Sequence, residues 1–79
     1  MTALQEDHLL DTKGLFCPEP VMMLHSKIDD VNAGDIIKVV ATDPSTKRDI
    51  TKFCNFLGHE LLELSEEEKQ YIFYIQKGS

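Results

Sequence analysis

From residue 8 onward the chain switches repeatedly between two hydrophobic periods. "HLLDTKG" is a short apolar run closed by a glycine and predicts a first strand. Between Pro18 and Val31 the apolar residues Val21, Leu24, Ile28 and Val31 recur at steps of three and four, the spacing of one helix face. Asn32-Ala33-Gly34 supplies the stop, because Asn and Gly tolerate a left-handed cap. "DIIKVVAT" is β-branched and mostly apolar, as expected of a strand covered on at least one side. Asp43-Pro44 then opens a second helix, with Asp43 as its cap and Pro44 at its first position. The apolar face of that helix is Ile50, Phe53, Cys54 and Leu57, and Gly58 closes it. "HELLELS" and "QYIFYIQ" follow as two strands, joined by the solvated acidic turn Glu66-Glu67-Glu68-Lys69.

The order β-α-β-α-β-β predicts an α+β fold: a two-layer α/β sandwich with a mixed four-stranded sheet, in one domain over residues 1–79. Right-handed crossovers between neighbouring strands place both helices on one face of the sheet. If the first two strands run parallel, both helices begin at the same sheet edge. Cys17 and the Asp43-Pro44 turn then become neighbours in space, although they are distant in sequence.

Composition narrows the function. A chain of 79 residues has room for one sheet and two helices. Its net charge of −6 argues against direct binding of nucleic acid, which draws its affinity from Lys and Arg. The same sign disfavours anionic membranes and suits a protein partner with a basic face. "MTALQEDHLL" is acidic and lacks a basic region followed by an apolar stretch, so no signal peptide is expected. No apolar run approaches the length of a membrane span. Two cysteines without an export signal point to a reducing compartment, and a cytoplasmic location is expected.

The chemistry concentrates in "GLFCPEPVMM". The first N–H groups of a helix have no intrahelical acceptor, so proline loses nothing there. Pro18 fits the first helical position and Pro20 the same turn, while Glu19, held before a proline, resists helical torsions. Cys17 then falls at the N-cap, where the helix dipole favours an anion and lowers a thiol's pKa, and Glu19 acts in the opposite sense. A loop-to-helix junction is exposed, so Cys17 reads as a reactive thiol. Cys54 belongs to a core face and reads as a packed hydrophobe. Met22 and His25, on the flank of the first helix, are either partner contacts or a gap-filler and a surface histidine. Phe56 falls off its helix's apolar line and reads as an exposed anchor. Asp43 is foremost a cap, with a docking role open to it.

"LDTKGLFCPEPVMML", "ATDPSTKRDITKFCNFLGHEL" and "YIFYIQKG" together resemble the TusA/SirA family of small sulfur-carrier proteins, and more its TusA branch than its wider relatives. The resemblance spans nearly the whole chain and is carried by Cys-Pro-Glu-Pro after Leu-Asp-x-x-Gly and by Asp-Pro-x-x-x-x-Asp-Ile. It implies that Cys17 carries a persulfide accepted from an IscS-type cysteine desulfurase and passes it to a TusBCD-type relay complex. The end use so implied is 2-thiolation of the wobble uridine of tRNA, by a carrier rather than a stand-alone enzyme. Relatives carry basic residues before the motif cysteine and along the first helix, where this chain has Phe16, His25 and Asp29 and keeps Lys27.

Two other readings stand beside it. One sends the sulfur to molybdenum-cofactor or general sulfur metabolism; the other pairs Cys17 and Cys54 as a redox or regulatory binding module. The spacing of Cys17, Cys54, His8, His25 and His59 matches no familiar zinc pattern, so neither metal nor cofactor is expected.

Overall fold

Alternation along β1 (His8–Thr12) turns Leu10 and Thr12 inward and leaves Leu9 and Asp11 outside. The computed structural model describes residues 5–78; the start of the acidic N-terminal stretch and Ser79 lie outside them. The elements that follow are α1 (Glu19–Asp30), β2 (Ile36–Ala41), α2 (Thr46–Leu57), β3 (Glu60–Glu67) and β4 (Gln70–Gln76). They form the expected mixed sheet of four strands with both helices packed on one face.

The sheet order is β1-β2-β4-β3, with β1 and β2 parallel and β4 antiparallel to both its neighbours. The second helix crossover therefore does not join neighbouring strands, contrary to expectation, because β4 inserts between β2 and β3. The hairpin explains this placement. β4 carries Phe73 and Ile75, both without solvent exposure, and a central position buries them. β3 carries Glu60, Glu63, Glu66 and Glu67, and charge belongs on an edge strand.

One apolar cluster joins the layers. Leu24, Ile28 and Val31 come from α1 and its end, Ile37, Val39 and Ala41 from β2, and Ile50, Phe53 and Cys54 from α2. Leu10, Phe73 and Ile75 complete it. Burial of this kind contributes roughly 1.5–3 kcal/mol for each large side chain, which fixes the helices on the sheet.

The hairpin turn is tighter than the sequence suggested. Glu66 and Glu67 belong to β3, and only Glu68 and Lys69 turn, with φ of 47° and 66°. Two successive left-handed residues match the twist of a hairpin, although both side chains here are ones that avoid that region. At the far end of α2, Gly58 adopts φ 76° and, with His59, donates its N–H to the carbonyl of Cys54.

Candidate functional site

The parallel pairing of β1 and β2 sends both chain segments out at one edge of the sheet. After β1 the chain turns through Gly14, whose φ of 83° suits glycine and whose N–H donates to Thr42 Oγ1 at 3.0 Å. That bond ties the β1–α1 loop to the β2–α2 loop. Asp43 makes the second tie: its Oδ2 accepts the Cys17 N–H at 2.6 Å and its Oδ1 accepts the Ser45 N–H at 3.0 Å. These donors hold the Asp43 carboxyl below the usual carboxylate range, led by the Cys17 N–H.

Asp43 was expected to cap α2, and the structure gives it other work. α2 begins at Thr46 with Ser45 in the N-cap position, and no side chain caps it. The Thr46 N–H and hydroxyl both donate to the Asp43 carbonyl, at 3.0 and 2.7 Å, forming a turn that delays the helix. Pro44 lies in that turn, ahead of the helix rather than at its first position.

Cys17 likewise sits outside its helix. α1 starts at Glu19 and Pro18 holds the N-cap position with φ −97°, so Cys17 precedes the cap expected for it. Its peptide bond to Pro18 is cis. Capture of its N–H by Asp43 keeps Cys17 in the loop. The two prolines divide their roles: Pro20, the second helical residue, is buried against the core, and Pro18 faces solvent, as does Glu19.

The thiol of Cys17 is exposed, and its S–H donates to Asp49 Oδ2 at 3.1 Å. Asp49 Oδ1 in turn accepts from Arg48 Nε at 3.3 Å. The hydrogen bond to Asp49 raises the Cys17 pKa above its ordinary value, helped by desolvation and the charges of Asp49 and Asp43; the Ser45 hydroxyl opposes them. The sequence sets the helix dipole against Glu19 and leaves the net direction open; in the structure the net shift is upward, led by the Asp49 carboxylate. Glu19, the residue expected to oppose the dipole, is not among the leading causes of the shift.

Beside the thiol lies an open groove of about 480 Å³. Cys17 and Asp49 share its lining with Val21, Phe53, Phe56, Leu57 and Lys52. Phe56 is 83% exposed, as its off-line position predicted. Leu57 was expected on the core face, yet as the last residue of α2 it is 47% exposed and lines the groove instead. Met22 is exposed but does not line the groove. His25 is exposed with its ring edge-on to Phe53, 5.3 Å between centroids, and His59 stacks on the same phenyl at 5.6 Å.

Cys54 is 2% exposed, and burial pushes its thiol up to about 11. Both cysteines are free. Among the described residues no group of three or more His, Cys, Asp or Glu side chains could hold a metal, and no helix is long and apolar enough to cross a membrane.

Sequence reasoning missed Asp49 and Ser45. Asp49 stands in the Asp-Pro-x-x-x-x-Asp-Ile segment, one position before the core residue Ile50, so its side chain had to leave the core face. That placement signals a surface residue, but only the fold brings it to a cysteine 32 positions away.

Comparison with known proteins bears on the same residues. The sequence model of the family described as "Sulfurtransferase TusA" matches residues 8–77. The chain is 58% identical over 77 residues to the sulfur carrier protein TusA of Pseudomonas putida, covering 98% of this chain and 96% of that one. It is 61% identical over 71 residues to the sulfur carrier protein TusA of Pseudomonas paraeruginosa, covering 90% of each. In structure it resembles a SirA-like protein from Desulfitobacterium hafniense, with a TM-score of 0.80 at 20% identity over 91% of this chain and 99% of that chain. With the family model spanning the Cys17 loop, both helices and all four strands, the chain belongs to the TusA family of sulfur carrier proteins.

Proposed function

We propose that Cys17 is the sulfur-bearing residue of this carrier and works as a covalent persulfide relay. The observation that carries the reading is the placement of Cys17: an exposed thiol on a loop tied at both ends, beside an apolar groove. Two protein cysteines exchange sulfur only if both reach a shared point, so a presented thiol suits the task better than a recessed one.

In the uptake step the Cys17 thiol loses its proton and Sγ attacks the outer sulfur of a cysteine desulfurase persulfide. The sulfur–sulfur bond of the donor breaks, and its electron pair stays on the desulfurase thiolate, which takes up a proton. Cys17 now carries S–SH, with no external oxidant or reductant used. Delivery repeats the exchange: an acceptor thiolate takes the outer sulfur and Cys17 leaves as the thiolate. The donor is an IscS-type desulfurase, and the acceptor is a TusBCD-type relay serving wobble-uridine 2-thiolation in the cytoplasm. The net charge of −6 supports a carrier that meets proteins while the RNA is handled downstream.

Pro18, Glu19, Pro20 and Asp43 support the loop. Phe56 anchors the partner, since its phenyl ring, 83% exposed beside the thiol, is the most exposed apolar side chain of the groove. Met22 and His25, on the exposed flank of α1, widen the contact.

Intact-mass analysis after incubation with a cysteine desulfurase and cysteine tests the reading. One added sulfur, removed by reductant and absent from Cys17→Ser, is the expected result. Absence of an adduct with every desulfurase tried would overturn it. Loss of 2-thiouridine from the tRNA of cells that rely on Cys17→Ser tests the destination.

A further inference from the structure

Two groups at the Cys17 loop, Asp49 and Ser45, prefer opposite states of its sulfur. Asp49 Oδ2, 3.1 Å from Sγ, can only accept, so it binds the protonated thiol. Arg48 Nε holds the other oxygen of that carboxylate at 3.3 Å, which fixes its direction. Ser45, at the N-cap position of α2, is tied to the same loop, because the two oxygens of Asp43 accept the N–H groups of Cys17 and Ser45. Its hydroxyl oxygen is the one buried side-chain polar atom among the described residues that lacks a hydrogen-bond partner. A buried hydroxyl without a partner is costly, and such a group calls for a physical explanation.

We propose that Asp49 and Ser45 form a two-position proton switch around Cys17, with Asp49 holding the resting thiol neutral and the Ser45 hydroxyl donating to the sulfur once it is an anion. The resting carrier is thereby kept from indiscriminate alkylation and oxidation, since the thiolate is the reactive form. A partner that draws the Asp49 carboxylate away, by offering it a cation, releases the proton to solvent or to itself. Sγ then takes the Ser45 hydrogen bond and keeps its position beside the groove.

The effects of the two groups on the thiol follow the same division: Asp49 disfavours ionisation and Ser45 favours it. The other charged groups around the sulfur are Asp43 from the β2–α2 turn, Glu19 from the start of α1, and Arg48 and Lys52 from α2. Asp43 adds to the bias toward the neutral thiol, but its oxygens already hold the Cys17 and Ser45 N–H groups, so it does not exchange partners with the sulfur.

The switch rests on Cys17 being the sulfur-bearing thiol, and its test does not require sulfur. The rate of iodoacetamide alkylation of Cys17 is followed against pH in the full chain. Asp49→Asn should move the midpoint to lower pH and speed alkylation severalfold at neutral pH. Ser45→Ala should move it to higher pH and slow alkylation at the same pH. Asp49→Glu, which keeps the charge, should restore most of the wild-type midpoint. The variants keep the shape of the fold: Asp49→Asn is isosteric at a half-buried position, and Ser45 makes no side-chain cap bond that alanine would remove.

An Asp49→Asn midpoint that stays in place or rises would overturn the switch, as would a Ser45→Ala midpoint that stays or falls. Shifts in one common direction would likewise reduce both residues to general packing roles. Failure of the wild type to take up sulfur, with the midpoints moving as described, would instead count against the proposed relay.

Discussion

Cys17 and Cys54 are the same side chain in one small fold, and both thiols hold their protons more tightly than a free cysteine. The causes differ. Cys54 is sealed between α2 and the sheet, and only desolvation acts on it. Cys17 is exposed and held first by one hydrogen bond to Asp49. A hydrogen bond at the surface can be exchanged when a partner arrives, whereas desolvation in a core ends only with unfolding. Resistance to ionisation is therefore reversible at one thiol and structural at the other. A disulfide between them would require Cys54 to leave a position that is 2% exposed, which removes the support for a two-cysteine module.

The sharpest separation comes from substituting each in turn. Cys17→Ser should eliminate sulfur uptake and leave the denaturation midpoint nearly unchanged, within about 0.5 kcal/mol, as for other surface changes. Cys54→Ser should do the reverse, keeping uptake and losing about 1–3 kcal/mol, because a hydroxyl replaces sulfur in an apolar setting. Urea titration beside the sulfur-uptake assay checks both. Equal losses of uptake would break the contrast.

Alkaline pH should act on stability through both thiols, since both are shifted upward in the fold, and the window can be stated for Cys54. An unfolded thiol ionises near the ordinary 9.0, while the folded chain keeps the Cys54 proton up to about 11. The stability contributed by that neutral thiol is complete below the unfolded value and is lost as pH rises through the folded one. Denaturation midpoints measured in steps over that window should fall more steeply in the native sequence than in Cys54→Ala. Parallel slopes would mean that Cys54 is not sealed.

A smaller effect serves as the control remote from both thiols. Glu68→Asn combined with Lys69→Gly places residues that accept left-handed torsions at the two positive-φ positions of the β3–β4 turn. Stability should rise by about 1 kcal/mol, with the reactivity of both thiols unchanged. Faster or slower alkylation of Cys17 in that variant would show that its reactivity follows global stability rather than its own hydrogen bonds.

Much of this architecture was legible in the chain. Periodicity placed six elements, since Leu24, Ile28 and Val31 on one helix and Ile50, Phe53 and Cys54 on the other are all buried. Parallel pairing then brought Cys17 to Asp43. Three things escaped it for physical reasons. The position of β4 within the sheet depends on which strand gains most from central burial, which no local spacing encodes. The starts of α1 and α2 are set by where the Cys17 and Thr46 N–H groups find acceptors; both find them on Asp43, which for Cys17 lies in another loop. The Asp49 contact with Cys17 spans 32 positions, and a lone acidic residue beside a core position reads as ordinary surface until the fold closes.

Location of the transferred sulfur tests the central claim most directly. The native chain, loaded by a desulfurase with cysteine, is alkylated without reduction and digested, and the peptides are read by mass spectrometry. The account predicts one extra sulfur on the peptide bearing Cys17 and an unmodified thiol on the peptide bearing Cys54. Sulfur on Cys54, or shared between the two, would contradict it.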